Sequence, residues 1–256
     1  MVVAVALLAG AESAVAIRLG LSMTALQVSI GAFNDLVDAP RDVGRIPPKP
    51  IPAGLVTPAA ARAVVLGGAV VGVALAVPSG PATVVLSGVV LLIGYAYDLR
   101  FKGTAWSWVP FAVGIPLLPV FAWLGATGGL PGSFAILLPT AFVAGAGLAI
   151  ANARADVERD ESVGVDSVAL RLGSDRAWSV NAVLLGAVVV AALLTLGGGS
   201  TVGGWLALVG ACVVIGLGVL IGRRGDASRR ERAWELEAIG VGLLAAAWLA
   251  GARPGP

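Results

Sequence analysis

The chain has 256 residues, 58% of them hydrophobic and only 12% charged, with a mean hydropathy of +0.94 and a formal charge of +2. Soluble domains carry about a quarter charged residues and rarely sustain apolar runs of about 20, so this is the composition of a polytopic membrane protein. The absence of histidine excludes His-ligated zinc or haem, His general bases and Ser-His-Asp catalysis, and the single Cys212 excludes an internal disulfide framework.

In chain order, apolar segments long enough to span as helices fall at 2–17, 20–37, 58–77, 82–98, 105–126, 131–153, 177–196, 202–222 and 233–251. The first is the weakest: it holds Glu12 and Ser13 and has neither the basic lead-in nor the cleavage site of a signal peptide, so a first helix that is short, or incomplete at its start, is expected. The breaks alternate in character. "VPSGP", "TGGLPG" and "GGGST" are short, rich in Gly and Pro, and uncharged, whereas 38–57, 98–104, 153–176 and 223–232 hold almost every ionisable group. Of the 17 Lys and Arg residues only Arg18 and Arg253 lie away from this second set of breaks and the helix ends beside it. The positive-inside rule makes that side cytoplasmic, with the N-terminus inside and the C-terminus outside for nine spans. The acids share it, Glu12 excepted, although carboxylates contribute little to topology; they need another explanation.

Asn34, Asp38 and Asp42 follow the pattern N-x-x-x-D-x-x-x-D, and Asn152, Asp156 and Asp160 repeat it. Four residues turn a helix by about 400°, so each set forms a nearly vertical stripe on one face. Asp35 is rotated by about 100° from Asn34 and can face a neighbouring helix. Pro40 crowds the carbonyl of Leu36, so the first stripe's helix kinks or ends there, and "RIPPKPIPAG" reads as an extended loop. A single D-x-x-x-D at a helix end is usually a solvated cap; two copies with matching Asn on one predicted side point to function. An Asp at the bilayer centre costs about 2.5–3.5 kcal/mol, and converging carboxylates repel as well. Hard divalent cations would relieve both. Carboxylate and amide oxygens suit Mg²⁺, which takes its remaining ligands from water and phosphate. The basic residues beside the stripes, Arg41, Arg45 and Lys49, Arg100 and Lys102, then Arg154 and Arg159, complete a pattern suited to a diphosphate at the membrane face. Tyr95, Tyr97 and the seven tryptophans also fit plain interfacial or packing roles.

With "NDLVDAPRD" followed by "KPIPAG", then "YAYDLRFKG", then "DVERDESVGVDSVALRLG", the sequence resembles the UbiA superfamily of intramembrane prenyltransferases from about residue 20 to 250. The resemblance implies one transmembrane domain over 1–256, an all-α bundle of about nine helices around a central cavity, with Mg²⁺ and isoprenyl diphosphate under cytoplasmic cap loops. Carried over by position, Asn34, Asp38 and Asp42 match the first Asp-rich motif and Asp156 and Asp160 the second, as metal ligands, while Tyr97 and Lys102 resemble the Tyr/Lys pair that contacts the diphosphate. Lys49 stands where relatives often have Arg. The five-residue Tyr97–Lys102 spacing, often four in relatives, leaves open the partner of Lys102. Asn152 replaces a frequent Asp, and Ser167 a frequent Thr.

The expected activity is Mg²⁺-dependent prenyl transfer. Asp38, Asp42, Asp156 and Asp160 hold the metal on the diphosphate, Lys102, Lys49 and Arg45 neutralise the leaving group, and Asn34, Asp35, Tyr97 and Asn152 line the substrate. The allylic cation is kept from water by the apolar cavity. Expected partners are an isoprenyl diphosphate, a small hydrophobic, aromatic or lipid-precursor acceptor, and membrane lipid, with no nucleic acid, in a bacterial or archaeal cell membrane. Two alternatives stay open: a membrane terpene cyclase using the substrate's own alkene, and a divalent-cation or organic-anion transporter. No acid lies midway through the later predicted spans, which weighs against transport.

Overall fold

A computed structural model describes residues 1–44, 47–162, 164–195 and 202–251. The described residues contain helices and turns and no strand. The helices are α1 (Val2–Leu8), α2 (Ser13–Asp38), α3 (Pro58–Ala76), α4 (Pro81–Ala96), α5 (Trp108–Thr127), α6 (Phe134–Ala155), α7 (Val157–Ser162), α8 (Val168–Leu172), α9 (Ser174–Thr195), α10 (Val202–Arg223) and α11 (Ala227–Gly251). Among the described residues eight helices are long and apolar enough to cross a bilayer: α2 to α6 and α9 to α11. The protein is an integral, multi-pass membrane protein.

The structure differs from the nine predicted spans at the N-terminus. The break falls at 9–12 instead of near Arg18, leaving α1 seven residues long, about 10 Å against a hydrocarbon core of about 30 Å. Arg18 lies inside α2 because its charge is used: the guanidinium donates to the Leu75 carbonyl (2.6 Å) and to Ser79 Oγ (2.9 Å), covering an acceptor that the last turn of α3 leaves open.

The chain divides into two compact units, Met1–Lys102 with Leu117–Leu130, and Gly103–Pro116 with Pro131–Pro256. In the first, α2 packs along α3. Pro58 opens α3 at a position where its missing N–H costs nothing, and Thr57 caps it by accepting from the Ala60 amide (3.1 Å). Contact between the two helices is close enough that a Cβ on Gly68 would sit 2.8 Å from the Ala25 carbonyl oxygen, and one on Gly72 2.6 Å from a Leu26 methyl. Ser22 and Ser29 use that proximity to donate across to the carbonyls of Gly72 and Val65, both at 2.6 Å. These glycines serve packing, as small residues do between membrane helices. They also fix the rotation of α2, and with it the direction of the stripe at its end.

In the second unit α6 packs against α9 and α11, and α10 pairs with α11. The last half of α6, Ala144 to Ala151, is buried throughout, which suits its run of Ala and Gly. Ile150, Val168, Ala169 and Ala177 form a small core that ties α8 and α9 to the end of α6. Trp178 is a packing residue here: its indole N–H donates to the Val219 carbonyl (2.9 Å) and Arg223 stacks over its ring (5.2 Å). Well inside α11, Glu237 is fully buried and accepts from Asn181 Nδ2 at 3.1 Å through both oxygens. The later spans therefore do contain an internal acid, met by an amide and within electrostatic range of Arg154.

Candidate active site

The first stripe stands at the end of α2, in the first unit. The helix stops at Asp38, as Pro40 requires, and a further turn is closed by the amides of Arg41 (2.8 Å) and Asp42 (3.0 Å) on the Asp38 carbonyl. Three polar side chains at this helix end each have their own partner. Asn34 Nδ2 donates to Asp98 Oδ1 at 2.6 Å. Asp35 is paired with Lys49 at 2.8 Å, which pins the proline-rich loop to α2. Asp38 is paired with Lys102. Asp42 is half-buried on the turn. Arg45 lies outside the described residues.

The stretch "YAYDLRFK" explains how Lys102 gets there. After Ala96 the helix widens into a π turn, Tyr97–Phe101, closed by the Lys102 amide on the Tyr97 carbonyl (2.8 Å). Such widenings cluster at functional positions. Here the turn leaves Leu99 and Arg100 exposed and buries Asp98, which is 6% exposed. Asp98 was not singled out by sequence reasoning; an acid four residues before Lys102 at the end of an apolar span was the available signal. Tyr97 is half-buried at the start of the turn. Tyr95 points into the unit: its hydroxyl is 2.7 Å from Ser29 Oγ, and its ring lies 4.6 Å from that of Phe33.

The second stripe is built differently. Asn152 is half-buried on α6, Asp156 occupies the break after Ala155 (φ −96°, ψ 4°), and Asp160 follows on α7, its amide bonded to the Asp156 carbonyl at 2.8 Å. The basic residues beside it mostly serve the backbone. Arg154, expected near the diphosphate, is buried and donates to the carbonyls of Ser174 and Gly222, both at 3.1 Å. Arg159 is exposed and stays 3.7 Å from Asp156. Arg230, 8% exposed, crosses the break: it donates to the Arg154 carbonyl (2.8 Å), to the Gly225 carbonyl (2.7 Å) and to both oxygens of Glu158. That contact holds the Glu158 carboxyl below the usual range. Burial pushes the Asp160 carboxyl up; the Ser167 hydroxyl stands beside it outside hydrogen-bond geometry and opposes the shift, and the Asp156 charge adds to it.

Among the described residues no three acidic or cysteine side chains stand close enough to form a complete metal cage. The donors present still fit a hard cation that keeps water and phosphate ligands: they are carboxylate and amide oxygens, and Asp98 Oδ2 is buried without a hydrogen-bond partner among the described residues.

A profile of the UbiA prenyltransferase family matches residues 1–249. A digeranylgeranylglyceryl phosphate synthase from Methanopyrus kandleri is 31% identical over 222 residues, covering 84% of this chain and 79% of that protein. Among solved structures, a ligand-free UbiA homologue from Aeropyrum pernix K1 superposes with a TM-score of 0.78 at 19% identity, covering 96% of this chain and 93% of the other. A UbiA homologue from Archaeoglobus fulgidus, bound to DMAPP and Mg²⁺, gives 0.69 at 18% identity, covering 95% and 94%. The whole-chain match and the close archaeal relative agree with the motifs and the fold: the protein belongs to the UbiA prenyltransferase family.

Proposed function

We propose that this prenyltransferase uses Mg²⁺ to move the prenyl group of an isoprenyl diphosphate onto the free hydroxyl of a glyceryl phosphate that already carries one prenyl chain, and that residues 1–256 act as one domain in doing so. The name of the Methanopyrus kandleri relative supports a lipid-precursor acceptor over an aromatic one, and the Archaeoglobus fulgidus complex supports a diphosphate donor with Mg²⁺. The observation that carries the reading is the set of polar pairs at the ends of α2 and α4: the ion pairs of Lys102 with Asp38 and of Lys49 with Asp35, and the hydrogen bond from Asn34 to Asp98.

In this reading the C–O bond of the prenyl diphosphate breaks with the electron pair leaving on the diphosphate. The hydroxyl oxygen forms the new C–O bond and loses its proton. Lys102, placed at Asp38, turns its remaining N–H donors to a diphosphate oxygen, and Lys49 does the same from the loop. Tyr97 and Asn152 contact the substrate. Asn34, Asp38, Asp42, Asp156 and Asp160 are the residues that would hold Mg²⁺, which supplies charge neutralisation for the departing diphosphate. The apolar spans exclude water from the allylic cation. The charged loops, and so the diphosphate, face the cytoplasm.

The test is product analysis by mass spectrometry with purified protein, Mg²⁺, prenyl diphosphates of increasing length, and either a monoprenyl glyceryl phosphate or an aromatic acid as acceptor. A product with two ether-linked chains is expected. An aromatic product would correct the acceptor, and a cyclised product formed without any acceptor would make the protein a cyclase.

A further inference from the structure

Asp98 raises a question that the proposed mechanism leaves unanswered. It sits in the π turn at the end of α4, almost completely buried, and one of its two oxygens is satisfied by Asn34. The other, Oδ2, has no hydrogen-bond partner among the described residues. A buried carboxylate oxygen in that position is costly unless something positive or protic meets it. Lys102 is within electrostatic range, as is Asp38, but the ammonium is bonded to Asp38.

The Asn34 contact adds a second consequence. A carboxylate can be met only by the NH₂ end of an amide, so the bond fixes which way Asn34 is turned and directs its carbonyl oxygen away from Asp98. One residue thereby orients a hard oxygen donor and contributes another. We propose that Asp98 belongs to the cation–diphosphate site: Oδ1 positions the Asn34 amide and Oδ2 is itself a cation ligand. This rests on the reading of the first stripe as a cation site and extends it to a residue of the third cytoplasmic-facing helix end.

The experiment measures cation binding without turnover. Mn²⁺ binding to purified full-length protein is followed by electron paramagnetic resonance in the presence of inorganic pyrophosphate, alongside thermal melting. Asp98→Asn keeps the shape and an acceptor for Asn34 and is expected to weaken Mn²⁺ binding at least ten-fold while melting within a few degrees of wild type. Asp98→Cys in a Cys212→Ala background replaces a hard ligand by a soft one, and is expected to raise the preference for Cd²⁺ over Mn²⁺ at least ten-fold relative to its parent. Wild-type Mn²⁺ binding in Asp98→Asn, with binding lost in Asp38→Asn, would overturn the assignment and leave the cation site standing. Should Asp98→Asn fail to fold, an unchanged metal preference in Asp98→Cys would overturn it equally. Mn²⁺ binding unaffected by both Asp38→Asn and Asp98→Asn would instead remove the cation site itself from the first stripe.

Discussion

The two Asp-rich stripes share a spacing and little else. At the first, Asn34, Asp35 and Asp38 stand on one continuous helix with Asp42 on the turn after it, and Lys49, Lys102 and Asn34 all point their donors at carboxylates. At the second, the helix breaks at Asp156, Arg154 turns its guanidinium to backbone carbonyls, and Arg230 braces the break from α11. Equal sequence patterns therefore reach their geometry by different means. The first is held by its own charges, the second by a scaffold behind it. Substitutions at the first should act on chemistry, and those behind the second on stability and geometry together.

The largest effect expected is on turnover. Asp38→Asn and Asp156→Asn nearly preserve volume, and each should lower the prenyl-transfer rate by about 10²–10³, equivalent to about 3–4 kcal/mol of transition-state electrostatics, with little change in melting. Activity retained per folded molecule in either variant would remove that stripe from the site. Lys102→Met should cost nearly as much in rate, since it removes leaving-group neutralisation and leaves Asp38 unpaired; a rate within three-fold of wild type would show the ion pair to be structural.

Next comes the scaffold. Arg230→Gln removes bonds to two carbonyls and to Glu158, and should destabilise by about 2–4 kcal/mol in chemical denaturation. It should also raise the Mg²⁺ concentration needed for half-maximal rate, because Asp156 lies between the two segments that Arg230 joins. A loss of stability with unchanged Mg²⁺ dependence would break the proposed link between scaffold and stripe.

A smaller effect is set by pH. The Glu158 carboxyl is depressed by Arg230, so the pair's contribution is fully present above the ordinary glutamate pKa of about 4.3 and is lost as pH falls through the lower native value. Glu158 is 60% exposed, which keeps the contribution modest. The gap in melting temperature between wild type and Glu158→Gln should be steady at neutral pH and close below about pH 4; a gap that widened on acidification would contradict the pairing. Least of all should be Arg159→Gln, an exposed residue 3.7 Å from Asp156, with rate and melting near wild type.

The two Asp spacings, Lys49 and Lys102, and the spans α2 to α6 and α9 to α11 were legible in the sequence because each announces itself locally, by spacing or by an apolar run. What was not legible depends on distant chain. Arg154 reads as one more base beside an acid, and its partners, the carbonyls of Ser174 and Gly222, lie 20 and 68 residues away. Arg18 reads as a span boundary until the end of α3 is seen to accept from it. Asp98 reads as one more charge in the 98–104 break, and the structure buries it in the π turn. Whether glycines meant packing or space could not be told from composition; at Gly68 and Gly72 it is packing.

The proposed driving force for departure of diphosphate from a prenyl chain is oxygen-ligated Mg²⁺ acting together with lysines. Its most direct test is release of diphosphate from an isoprenyl diphosphate by purified protein with its acceptor, titrated with Mg²⁺ against EDTA. With oxygen donors and no histidine in the chain, release should be absent in excess EDTA, return with Mg²⁺ or Mn²⁺, and survive zinc-selective chelation. Full activity in excess EDTA would contradict it.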